Sequence, residues 1–177
     1  AFTGEVSAAM VKELAEYVIV GHSDRRHTFG EKDSLIAQKV SASLRHGLRP
    51  ILCVGETKAE HVAGHARQVV SDQLAAGLSL LTQDELHDVL IAYEPVWAIG
   101  TGDNAQPKDA SEMFGVIRDW LETKYSPTVA RVMPLLYGGS VNGGNAKMYL
   151  DLDGCDGCFV GGASTNYKDF AKIVQQA

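Results

Sequence analysis

VLIAYEPVW, residues 89–97, is the stretch on which the fold turns. Its first five residues are apolar without interruption, and the run stops at a carboxylate, Glu94. A strand with one wet face alternates apolar and polar side chains, whereas a strand covered on both faces reads as a continuous apolar run. Glu94 therefore stands at the C-terminal end of a buried parallel strand. Pro95, Val96 and Trp97 follow at once, and Gly100, Thr101 and Gly102 come just after.

Four other runs share that character: YVIV (Tyr17–Val20), PILCV (50–54), VMPLLY (132–137) and CFV (158–160). Helical patterns lie between and around them. Ser7 suits the cap of a helix carrying Met10, Val11 and Leu14. Leu35, Ile36, Val40 and Leu44 form an apolar stripe that Gly47 stops. Val69, Val70, Leu74 and Leu78 form a second. Pro107 suits the first turn of a helix bearing Met113, Phe114, Ile117, Trp120 and Leu121. A shorter helix is expected over 145–152, and Phe170, Ile173 and Val174 mark a last one. Strand and helix alternate to the end, which predicts an α/β fold with right-handed crossovers. No linker or low-complexity segment interrupts the chain, so one domain is expected over residues 1–177.

Composition narrows the function. The 177 residues are 45% hydrophobic and 21% charged, the balance of an ordinary soluble protein. A net charge of -6 with no long basic run argues against nucleic-acid or anionic-membrane partners. Small anionic substrates stay open, because backbone amides bind phosphate inside acidic proteins. No apolar run approaches the roughly 20 residues of a membrane span, and no signal-peptide pattern opens the chain, so the expected location is cytoplasmic. Cys53, Cys155 and Cys158 are too few for a disulfide framework. The Cys-x-x-Cys spacing in CDGC invites a redox or zinc reading, but no second ligand pair is evident and the thiols are read as turn and strand-edge residues.

Each apolar run ends on polar or glycine residues: Gly21-His22, Gly55-Glu56, Glu94, Gly138-Gly139-Ser140 and Gly161-Gly162. In parallel α/β folds, ligands bind at that end of the sheet. Glycine pairs let the backbone approach a ligand, and a helical turn after each would offer free N–H groups to an anion. Two such loops after the last two strands point to a phosphate site, the plain alternative being two tight turns. His22, entering a helix, is expected to be held neutral by the dipole and to donate a hydrogen bond to a carbonyl oxygen. His27, His46, His61, His65 and His87 are read as structural. A Glu94 shielded from water would be a stronger base, suited to taking a proton alpha to a carbonyl. Pro95-Val96-Trp97 reads as the stiff end and Gly100-Thr101-Gly102 as the pliable end of a lid. Glu56 is read as a supporting acid.

AFTGEVS, YVIVGHSDRR, PILCVGET, IAYEPVWAIGTG, YGGSVN and VGGAS together resemble the triosephosphate isomerase family, in family order and across essentially all 177 residues. The resemblance implies a (β/α) barrel of TIM type. It implies interconversion of glyceraldehyde 3-phosphate and dihydroxyacetone phosphate, without metal or organic cofactor. Glu94 matches the base and His22 the electrophile. Pro95, Val96, Trp97, Ala98, Ile99, Gly100 and Thr101 match the lid. Gly100, Ser140, Gly161 and Gly162 match donors to the substrate phosphate. Thr3, Gly4 and Glu5 match a loop tip that reaches a neighbouring subunit, so a homodimer through the 1–5 loop is expected.

Two departures stand out. Asp24 in GHSDRR occupies a position where the family usually carries Glu. Family members run to about 250 residues and eight strands, whereas five runs are visible here, and no residue matches the family's substrate-binding lysine. Five strands cannot close an eight-strand barrel, because strand number, tilt and stagger are linked. The expected architecture is an open or partial barrel unless another chain completes it, with bare edges at YVIV and CFV that favour self-association. A truncated, weakly active or inactive module that binds phosphate or self-associates is the alternative function; another phosphate-handling barrel enzyme is a more distant one.

Overall fold

The computed structural model describes residues 3–99 and 105–177. Five parallel strands form one sheet in chain order: β1 (Tyr17–Val20), β2 (Arg49–Val54), β3 (Leu90–Tyr93), β4 (Leu135–Tyr137) and β5 (Gly157–Cys158). The helices are α1 (Ala8–Lys12), α2 (Ser23–His27), α3 (Asp33–Arg45), α4 (Lys58–Val62), α5 (Ala66–Gly77), α6 (Pro107–Lys124), α7 (Pro127–Val132), α8 (Ala146–Leu150) and α9 (Tyr167–Val174). The arrangement is a partial TIM barrel: an open sheet of βα units.

The three long helices form where the stripes predicted them. In α3 the stripe buries Ile36 and Val40, and the chain leaves through Gly47, whose φ of 71° is the left-handed value a side chain resists. Val70 and Leu74 of α5 are fully buried, as are Ile117 and Leu121 of α6. They pack with Leu52, Ile91 and Leu135 of the sheet in one core. Each such side chain contributes about 1.5–3 kcal/mol by leaving water.

Local chemistry moved several boundaries. The fourth strand begins at Leu135, not at Val132. Ser126 accepts a hydrogen bond from the Val129 N–H at 3.2 Å, and Pro127 takes the first helical position, so Val132 closes α7. The fifth strand is Gly157–Cys158, two residues rather than the three of CFV. A short α4 follows β2, fixed by a capping box in which Thr57 and Glu60 satisfy each other's backbone N–H groups. The 145–152 helix shrinks to α8.

The sheet's first edge is wet. Tyr17 and Ile19 of β1 are 41% and 51% exposed, whereas Ile91 of central β3 is fully buried. Val6, Met10 and Leu14 on the flanking α1 segment are exposed as well. At the other end α9 exposes Tyr167, Phe170 and Val174 and buries only Ile173. Both terminal faces are thus apolar and uncovered. Among the described residues, no helix is long and apolar enough to cross a membrane.

Candidate active site

The sheet is parallel, so every strand delivers its C-terminal residues to the same end. A cavity of about 290 Å³ opens there, lined by His22, Glu94, Ser140, Phe159, Gly161 and Gly162 among others. Four of the five strand ends contribute to it. Glu56, at the end of the remaining strand, faces elsewhere.

Glu94 is 2% exposed, and its backbone N–H continues the ladder to the Val54 carbonyl at 2.8 Å. Its side chain is held at both oxygens. One lies 2.9 Å from His22 Nε2, and the other accepts the Ser23 backbone N–H at 3.3 Å. Room for it comes from Gly138, where a Cβ would stand 2.9 Å from Glu94 Cγ and 3.2 Å from Phe159 Cδ1. A buried carboxylate is tolerated only when hydrogen-bonded, and these two donors supply that.

His22 caps α2 with its own ring: Nδ1 accepts the Asp24 backbone N–H at 3.2 Å. An accepting Nδ1 places the proton of the neutral imidazole on Nε2, the atom that faces Glu94. The expectation of a histidine kept neutral by the helix entrance meets an opposing effect. The hydrogen bond to Glu94 raises the His22 pKa above its ordinary value, burial works against that rise, and the charges of Glu94 and of Asp24 add to it. The cap geometry favours neutral imidazole, and the carboxylate favours imidazolium. Asp24 Oδ2 is 3.7 Å from Nδ1 and largely exposed.

The glycine loops frame the far wall. Gly138 donates to the Tyr93 carbonyl at 2.7 Å, which fixes the start of the 138–140 loop. Asn145 Nδ2 holds the Ser140 carbonyl at 2.8 Å. A 3-10 turn, Gly162–Thr165, begins directly on the second pair, with Ser164 N–H donating to the Gly161 carbonyl at 2.9 Å. The expected helical turn directly after Gly138-Gly139 does not form: bends and turns occupy the interval and α8 starts only at Ala146. Of the two glycine pairs, Gly161-Gly162 is the one followed directly by a helical turn whose N–H groups could attract an anion.

Of the expected lid, Pro95, Val96, Trp97, Ala98 and Ile99 are described; Gly100, Thr101 and Gly102 lie outside the described residues. Ile99 lines the cavity, and Val96–Ala98 form a 3-10 turn. Trp97 Nε1 donates to Glu56 at 2.7 Å. Glu56 is fully buried and also accepts from the Tyr93 hydroxyl. Thr3 and Gly4 form an exposed turn, and Ala1 lies outside the described residues. Glu5 reaches Arg25 of its own chain at 3.1 Å. Beneath the site, burial and then the neighbouring Glu94 push the Cys53 thiol well up, so it stays protonated. Burial likewise raises Cys155, and raises Cys158 to about 12. Among the described residues no group of three His, Cys, Asp or Glu side chains is placed to hold a metal.

His61, read as structural, packs behind the site against Glu56 and Trp97. His61 Nδ1 lies 3.3 Å from Glu56, and its ring packs on Trp97 with centroids 4.5 Å apart. Its place one helical turn after Thr57, on a capped helix beginning at a strand end, was the available signal.

Comparison with known proteins agrees across the chain. The family profile described as "Triosephosphate isomerase" matches residues 1–177. Proteins of that name in Chloroflexus aurantiacus, Roseiflexus castenholzii and Symbiobacterium thermophilum are 46%, 49% and 47% identical. Those alignments cover 98%, 98% and 100% of this chain and 70%, 69% and 70% of the respective relatives.

Proposed function

The chain belongs to the triosephosphate isomerase family, and on that premise we propose that Glu94 and His22 interconvert glyceraldehyde 3-phosphate and dihydroxyacetone phosphate through an enediolate. The observation that carries the assignment of roles is the 2.9 Å contact between Glu94 and His22 Nε2 over a cavity walled by glycine loops.

Acid and imidazole satisfy each other across 2.9 Å. A substrate carbonyl oxygen takes the place of the Glu94 oxygen as acceptor of the Nε2 proton. Glu94 is then free to take the proton from the carbon beside that carbonyl. The developing enediolate oxygen is stabilised by the Nε2 donor and takes its proton, Nε2 recovers one from the adjacent hydroxyl so that the carbonyl moves by one carbon, and the carbon-bound proton returns from Glu94 to the neighbouring carbon. Gly161, Gly162, Ser140 and Gly100 are proposed to receive the substrate phosphate, and Pro95 to Thr101 to cover it. Water held out of the site strengthens both contacts. No metal or organic cofactor enters these steps. A homodimer using Thr3, Gly4 and Glu5, and a cytoplasmic location, belong to the same proposal.

Glu94→Gln tests it in a coupled isomerase assay. Removing a general base costs about 10²–10⁴ in rate, while the amide keeps the shape. Turnover by the parent that survives Glu94→Gln within a factor of about ten would defeat the assignment.

A further inference from the structure

Glu56 is a fully buried carboxylate that the proposed chemistry does not use. Its side-chain partners are the Tyr93 hydroxyl, Trp97 Nε1 at 2.7 Å and His61 Nδ1 at 3.3 Å. Tyr93 and Trp97 are neutral donors; burial and Glu56 hold the Tyr93 hydroxyl far above its ordinary pKa, so it keeps its proton. A buried charge is stabilised chiefly by an opposite charge with good geometry. Arg67, Asp109 and Glu112 line a small cavity of about 120 Å³ together with Glu56 and His61. Among the described residues His61 is the one partner in contact with Glu56 that can become a cation.

The same histidine touches the lid. Its ring lies 4.5 Å from the Trp97 ring, tilted by 38°, and Lys58 Nζ stands 5.0 Å from the centroid of that indole. Lys58 and His61 are three residues apart on α4, hence on one face. The capping box of Thr57 and Glu60 fixes that face against the end of β2. Trp97 is thus gripped at its N–H by Glu56 and on its ring by α4. Its neighbour Val96 is tied to the Glu56 carbonyl by a backbone hydrogen bond of 3.0 Å.

We propose that His61 is a positioning residue: its protonation tightens the hold of Glu56 and α4 on Trp97, so the placement of the 95–99 segment beside the Glu94 cavity is linked to pH. The imidazolium makes the contact to Glu56 charge-assisted and sets a cation against the indole. Neutral His61 still donates from Nδ1 but supplies no charge. Lys58 on the same helix face, and Arg67, Glu56, Asp109 and Glu112 around the small cavity, are the charged groups beside the ring. The link to turnover rests on the isomerase reading, but the link to Trp97 does not.

The test uses Trp97 emission and quenching by acrylamide in the full chain carrying Trp120→Phe, which leaves one tryptophan of the two. Quenching should rise by about twofold to fivefold from pH 5 to 8, the scale of a partly exposed ion pair. His61→Asn should be flat at the high value and His61→Arg flat at the low value, with unchanged far-ultraviolet dichroism. A transition that persists in His61→Asn, or a parent with none, overturns the proposal. In an active enzyme His61→Asn should also remove that change from the acid limb of kcat/KM while leaving kcat at the pH optimum. A Trp97 transition without turnover at any pH would support the grip and sink only the isomerase reading.

Discussion

Gly138→Ala is the sharpest probe of the site, because the structure gives its steric consequence directly. The added Cβ would lie 2.9 Å from Glu94 Cγ, 3.2 Å from Phe159 Cδ1 and 3.2 Å from the Tyr93 carbonyl oxygen. Comfortable carbon–carbon contact is about 3.5–4.0 Å, so Glu94 must retreat by about 0.6–1 Å. Gly138 is not among the glycines with positive φ, so the substitution tests packing and not backbone strain. Glu94 cannot retreat without lengthening its bonds to His22 and Ser23. A displacement of about 1 Å costs about 10²-fold in rate, near 2.7 kcal/mol of barrier, and overpacking costs about 1–3 kcal/mol of stability. The control is Gly115→Ala in α6, where a Cβ meets nothing within 4 Å. That change should stabilise the fold by about 0.5–1 kcal/mol. Both variants go into the coupled isomerase assay, into thermal unfolding, and into an NMR titration of the His22 ring. Parent-like turnover, melting and His22 titration in Gly138→Ala would refute the claim that this glycine makes room for the base.

Glu94→Gln should lower the His22 pKa toward its ordinary value of about 6.5, read by NMR, because the hydrogen bond to Glu94 is the largest cause of the rise. The sign for stability follows. A raised folded pKa contributes stability fully below the unfolded value, and the contribution is lost as pH rises through the folded value. The melting-temperature gap between parent and Glu94→Gln should therefore narrow from pH 6 toward pH 8. Thr57→Ala removes one half of the α4 capping box and should cost about 1 kcal/mol, with greater quenching of Trp97 as its local readout. Ile19→Lys places a charge on the exposed β1 edge and should shift the chain toward monomer in light scattering, whereas a parent that is already monomeric would remove the case for self-association.

Much of this architecture was legible because period and punctuation agreed. Continuous apolar runs marked strands, and stripes stopped by glycine marked helices. The convergence of Glu94 and His22 followed from placing both at strand C-termini. What escaped was chemistry that acts across turns. Ser126-Pro127 is a helix start that outweighs the β-branched pattern of Val129 and Val132, so α7 took the first residue assigned to the fourth strand. Pro134 then lacks the N–H a ladder needs. Glu56, read as a supporting acid, turns away from the cavity toward Trp97, a pairing set by residues 41 positions apart that no local pattern encodes. The contact of His61, read as structural, with the Trp97 ring is likewise remote in sequence. The partners of His61 come from the segments that follow β2 and β3.

Strand order equals chain order in this sheet, and that bears on how the molecule assembles. Tyr17 pairs with Arg49, Ile51 with Leu90, Ile91 with Leu135 and Leu136 with Gly157, so no pairing closes a loop longer than about 45 residues. Each newly made unit finds its docking partner immediately upstream. Such a chain is suited to accreting at the ribosome one unit at a time, each strand docking on the one made just before it.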